Sequence, residues 1–153
     1  MDERIEDEAR SERCIQQALE VLERRIRNGP CFERSDTVKD FLRIRLARKD
    51  YEVFAIIWMD SRHRMIEFNE LFRGTLSRSS VYPRELVREA IRFNAAACVL
   101  SHNHPSGSCE PSSEDIAMTR SIRVALATID VRVLDHVIVA VEGTLSMAEH
   151  GLM

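Results

Sequence analysis

The continuous apolar run from Ala95 to Leu100 is the strongest constraint on how this chain folds. A run without alternation is a strand buried on both faces, so layers of structure must lie above and below it. The flanking patterns supply them. Residues 3–28 carry Ile5, Ile15, Ala18, Leu19, Leu22 and Ile26 close to a 3.6-residue period, which predicts a helix. Its first turns are acidic and its last turn holds Arg24, Arg25 and Arg27, in accord with the helix dipole. Asn28-Gly29-Pro30 then stops it. Residues 35–47 predict a second helix, capped by Ser35 or Asp36, with Val38, Phe41, Leu42 and Leu46 on its apolar face. Tyr51–Asp60 and Arg64–Thr75 predict two strands, joined into a hairpin by Asp60-Ser61-Arg62-His63. Pro83–Asn94 predicts a third helix, with Pro83 near its first position. After the central run come a polar loop over Ser101–Pro111 and a helix over 113–129 with Ile122, Ala125, Leu126 and Ile129 inward. A strand over 131–141 and a short strand near Leu145–Met147 end the chain. The expected fold is α/β, a mixed β-sheet flanked by helices, with residues 1–34 as an N-terminal helical segment and 35–153 as the domain.

A length of 153 residues fits one domain with its own core. With 44% hydrophobic and 31% charged residues, 5 Gly and 4 Pro, collagen-like, low-complexity and disordered classes are excluded. No apolar run approaches the ~20 residues of a membrane helix. The acidic stretch Met1–Glu8 lacks the apolar segment of a signal peptide. A cytoplasmic location with no membrane partner is therefore expected. The cysteines Cys14, Cys31, Cys98 and Cys109 include no Cys-x-x-Cys pair, which argues against a disulfide framework or a four-cysteine zinc site.

The chemistry concentrates in Ser101-His102-Asn103-His104-Pro105-Ser106-Gly107, followed by Ser112-Ser113-Glu114-Asp115. In extended chain, side chains two apart point to one side, so His102 and His104 can grip one metal ion at a strand end. Pro105 and Gly107 turn the chain, and Asp115 arrives in the first turn of the next helix as a third ligand. Two imidazoles and a carboxylate leave a fourth tetrahedral position for water, the pattern of catalytic zinc. Iron or manganese could enter the same set. No His-Glu-x-x-His helix is present, and a zinc deaminase would need Glu where His104 stands. Cys109 lies between the ligands, either as an additional one or as a plain loop residue.

His-x-His-Pro followed by Ser-x-x-Asp resembles the JAMM (MPN+) metalloprotease motif. The surroundings resemble its RadC-like branch: Glu70-Leu71-Phe72-Arg73-Gly74-Thr75-Leu76, Pro83-Arg84-Glu85, Asn94-Ala95-Ala96-Ala97 and Leu134-Asp135-His136. The resemblance covers about residues 35–150. It implies a JAB1/MPN (cytidine-deaminase-like) fold and hydrolysis of peptide or isopeptide bonds with one Zn2+ per chain on His102, His104 and Asp115. The motif serine falls on Ser112 and the remote glutamate best on Glu52. The implied partner is a peptide or protein substrate, and self-association into a homodimer stays open. RadC-like proteins have been linked to DNA repair, and long members carry a helix-hairpin-helix-like region. The residues before 35 show no such glycine-containing hairpin, which argues against a DNA-binding role.

Physical chemistry assigns roles to the same residues. A general base must take a proton from water and pass it to the leaving amine. Glu52 shares strand alternation with Phe54, Ile56 and Trp58, an apolar setting that raises a carboxyl pKa toward the useful range. Glu67 and Glu70 are rivals, Glu70 by its alternation with Ile66, Phe68 and Phe72. Ser112 can hydrogen-bond an oxyanion or cap the helix with Asp115 three residues on. Asp135 and His136 form either a satisfied buried pair or outer support for the metal ligands. His63 and His150 read as ordinary turn and tail residues.

With 22 basic and 25 acidic residues the net charge is −3, and few phosphates can be neutralised. Any DNA binding is expected to be weak and to vanish as salt rises to about 0.15 M. A fluorescence-anisotropy titration across salt concentrations checks this, and tight binding at that salt would restore the nucleic-acid reading.

Overall fold

In the computed structural model, which describes residues 3–28, 35–74 and 81–153, four helices and five strands follow the predicted order. Helices α1 (Glu3–Asn28) and α2 (Ser35–Leu46) precede strands β1 (Val53–Met59) and β2 (Met65–Arg73). Helix α3 (Pro83–Arg92), strand β3 (Ala97–Asn103), helix α4 (Ser113–Ala127) and strands β4 (Arg132–Ala140) and β5 (Gly143–Ser146) complete it. The sheet order is β2-β1-β3-β4-β5. Only β3 and β4 are parallel, because α4 carries the chain back between them. Cys31 and Thr75, which the sequence reading included, lie outside the described residues, as does the position preceding α2. Ser35 and Asp36 are its first helical residues rather than settled caps.

Alternation splits the core in two. Val53, Ala55, Ile57 and Met59 of β1 pack with Val38, Phe41, Leu42 and Leu46 of α2 and with Leu19 and Ile26 of α1. Phe54, Ile56 and Trp58 face the other way, toward Leu86 and Ala90 of α3 and Ile122 and Leu126 of α4. Every residue of β1 and β3 is buried, as expected for central strands covered on both faces. The amino-terminal half of α1 is exposed, with Ile5 60% accessible, so the apolar face of that helix begins to bury at Ile15.

Two of the strands differ from expectation. The predicted loop at Ser101 begins later, because β3 runs on to Asn103. Polarity does not end the strand, since the main chain stays paired with β1 at His102 and with β4 at Asn103. The Ser101 hydroxyl donates to the Val137 carbonyl at 2.8 Å. The edge strand β2 carries an irregularity opposite Phe54 and Ala55, whose partners are Phe72 and Glu70. The extra residue, Leu71, breaks the alternation that grouped Glu70 with Phe72. At the other end of β2, Arg27 of α1 donates to the carbonyls of Met65 and Ile66.

His63 is not an ordinary turn residue. It is 5% exposed with a backbone φ of 57°, and its Nε2 lies 2.9 Å from Arg132 Nη2, which donates to it. Burial and the Arg132 charge push its pKa down. The folded state therefore binds the proton less readily than the unfolded chain. His63 contributes stability above the unfolded pKa of about 6.5, and this is lost as pH falls below it. His63→Asn, which tolerates the left-handed backbone, is expected to lessen the fall in urea midpoint between about pH 7.5 and about pH 5.5. Equal falls in both proteins would refute the assignment.

Candidate metal centre

The site forms where β3 leaves the sheet and α4 begins. His102 is fully buried on the α3/α4 side of the sheet, opposite Phe54 of β1. His104 lies just past the strand, but its N–H still donates to the Val139 carbonyl at 2.8 Å, so the extended spacing persists and both rings share a side. The chain then reverses at Gly107, whose φ of 102° suits glycine and whose N–H donates to the His104 carbonyl at 3.1 Å. Helix α4 starts with a reciprocal cap. The Ser112 hydroxyl oxygen accepts from the Asp115 N–H at 3.1 Å, and Asp115 Oδ2 accepts from the Ser112 N–H at 2.8 Å. That cap fixes the Asp115 carboxylate in front of the two imidazoles.

Nε2 of His102 and Nε2 of His104 are 2.9 Å apart. They lie 3.2 and 3.3 Å from Asp115 Oδ1 and Oδ2 respectively. A tetrahedral ion with bonds of about 2.0–2.1 Å separates its ligands by about 3.3 Å. The residue set therefore fits one such ion, and among the described residues it is the group of potential ligands that converges this way. Electrostatics agree. Burial opposes the Asp115 charge, but hydrogen bonds with His102 and His104 outweigh it and hold the carboxyl well below its usual range. The hydrogen bond with Asp115 raises the His104 pKa, against burial, with the charge of Glu52 adding to the rise. Positive charge is favoured where the three side chains meet.

Glu52 is half-buried just before β1, on the alternation of Phe54. The neighbouring backbone is held by Asn103, whose Oδ1 accepts from the Val53 N–H at 2.7 Å and whose Nδ2 donates to the Tyr51 carbonyl at 2.9 Å. Asn103 was missed from sequence, although its place between the two histidines was a signal. The rivals of Glu52 point elsewhere. Glu70 sits on the α1/α2 side, opposite Ala55, and pairs with Lys49 at 3.1 Å. Glu67 reaches Arg27 of α1 at 3.8 Å.

Cys109 does not join these three side chains. Its N–H donates to Glu142 at 2.8 Å, and burial and the hydrogen bond to that carboxylate push its thiol up. Asp135 and His136 part company. Asp135 accepts from the His136 and Ala148 N–H groups and from the Ser146 hydroxyl, tying down the C-terminal turn. His136 faces the centre, with its Nε2 at 2.7 Å from His102 Nδ1 and its Nδ1 at 2.6 Å from Thr119 Oγ1. Burial keeps its pKa far below the usual value. His150 stays local, bonded to the Ser146 carbonyl at 2.7 Å.

Comparison with known proteins matches residues 32–152 to the RadC-like JAB domain. A UPF0758 protein of Methylibium petroleiphilum is 51% identical over 136 residues, covering 89% of this chain and 61% of that protein. A UPF0758 protein of Vibrio cholerae is 45% identical over 147 residues, covering 96% of this chain and 92% of the relative. The chain thus spans about three fifths of the Methylibium protein and nearly all of the Vibrio one. Among the described residues, no helix is long and apolar enough to cross a membrane.

Asp115→Asn separates ligation from capping, because the amide oxygen can still accept from the Ser112 N–H. It is expected to weaken binding of a divalent ion by more than the ~10–100-fold that loss of supporting contacts costs. Folding stability should change by about 1 kcal/mol or less. Competition titration with a chromogenic chelator, alongside urea unfolding, measures both, and unchanged metal affinity would exclude Asp115 as a ligand.

Proposed function

The chain belongs to the RadC-like JAB domain family, and from that premise we propose that it is a zinc-dependent metallohydrolase cleaving a peptide or isopeptide bond. The observation that carries the reading is the convergence of His102, His104 and Asp115 with Glu52 close enough for its charge to act on His104. Two imidazoles and one carboxylate suit zinc better than the harder ions. Such an ion supplies Lewis acidity at a carbonyl and lowers the pKa of water from 15.7 to about 7.

The chain's own residues divide the remaining work. His102, His104 and Asp115 would hold the ion. Glu52 accepts the proton of the attacking water and delivers it to the leaving nitrogen. The Asn103 amide fixes the backbone on either side of Glu52 and so sets the base against the two histidines. Ser112 uses an oxygen lone pair for the helix cap, and its O–H is offered to the oxyanion of the tetrahedral intermediate. The substrate is a peptide or protein, with neither membrane nor nucleic acid as the direct ligand.

Glu52→Gln is expected to keep its zinc, by elemental analysis, and to lose about 10²–10⁴-fold in turnover, since the amide cannot accept a proton. Glu70→Gln should behave as wild type. The assay follows new amino termini by mass spectrometry in a peptide digest and in lysine-branched isopeptides. A zinc-loaded wild type that leaves all of them intact would favour a binding module that retains the fold.

A further inference from the structure

A buried chain of hydrogen bonds links two of the proposed ligands from behind. We infer that Thr119 and His136 are positioning residues that fix a proton of His102 on Nδ1 and so leave Nε2 as the ring atom offered to the centre. The inference rests on the metal reading above for its purpose, but its geometry stands without it.

The direction of the chain follows from one group that can only accept. The Thr119 hydroxyl lies 2.6 Å from the main-chain carbonyl of Asp115, one helical turn back, and donates its single proton there. It must then accept from its other close partner, so His136 carries its proton on Nδ1. Thr119, His102 and His136 are all fully buried. His136 has a histidine and a hydroxyl as its ring partners, and with no anion bonded to it there it stays neutral. Its Nε2 therefore accepts, and the proton between it and His102 belongs to His102 Nδ1. The opposite polarity would leave the Thr119 and Asp115 oxygens 2.6 Å apart with no proton between them.

The other histidine is set in the same way by a separate carbonyl. His104 Nδ1 lies 2.9 Å from the Ser108 carbonyl, which requires a proton on that nitrogen and leaves Nε2 as the ring atom turned to the centre. Both rings thus turn Nε2 toward the Asp115 carboxylate, with their Nδ1 protons held elsewhere. The distinctive part is the route. The polarity that prepares His102 begins at the backbone of Asp115, so two of the ligands are prepared together through α4 and β4.

Long-range proton–nitrogen NMR of the histidine rings in the metal-free chain tests the polarity directly. His102 and His136 are both expected to carry a proton on Nδ1, and a bare Nδ1 on His102 would overturn the inference. Thr119→Val removes the hydroxyl at nearly constant shape, and zinc affinity by chelator competition should fall about 10–100-fold. Thr119→Ser should restore it to within about threefold. His136→Gln, whose amide can both accept and donate, should retain more affinity than His136→Leu. Wild-type affinity and an unchanged His102 tautomer in Thr119→Val would refute the role. If Thr119→Val does not fold, the serine variant and the wild-type spectrum still decide. A wild type that binds no zinc would sink the proposed function, while its ring tautomers would still judge the relay.

Discussion

Asn103 stands between the two histidines and points to the opposite side of the strand, where its amide continues a ladder that the backbones no longer form. The last β1–β3 pair is Phe54 with His102. Beyond it the Asn103 side chain takes over, accepting from Val53 and donating to Tyr51. The end of β3 and the start of β1 are thereby fastened together at the point where one carries the histidines and the other carries Glu52. A side-chain amide is suited to this because it offers a donor and an acceptor in one plane. Buried at 2% exposure, both groups gain strength from the absence of competing water.

The second fastening is Asp115, which serves the helix and the centre at once. Its carboxylate completes the cap of α4 while facing His102 and His104. Its main-chain carbonyl accepts from Thr119. Such economy ties the start of α4 to the end of β3, at the carboxyl end of the parallel pair, where open α/β sheets place their ligands. Local folding and site geometry are then hard to alter separately.

Much of this was legible in the chain. The unalternating run at Ala95–Leu100 announced a strand covered on both faces, and Val38, Phe41, Leu42 and Leu46 gave the face of α2. The spacing of His102, His104 and Asp115 announced their convergence. What stayed hidden depended on partners far away in sequence. Ser101 to Asn103 read as loop because polarity suggests exposure, yet each finds a buried partner. Glu70 seemed to face inward because a strand irregularity leaves no trace in alternation. His63 read as an ordinary turn residue, and His136 was left between two roles, because Arg132 and His102 reach them only after the sheet assembles.

The outer edge of β2 shows how the ends of the sheet are kept from further pairing. A strand with one side open is a template for another chain. Here α1 lies alongside, and its Arg27 occupies the carbonyls of Met65 and Ile66, while the opposite edge, β5, spans only Gly143–Ser146. A long helix that contributes little apolar surface over its first half thus also guards the sheet against growth. Shortening the chain from that side would unmask the edge and leave a domain prone to stick to its own copies, so insolubility could be mistaken for failure to fold.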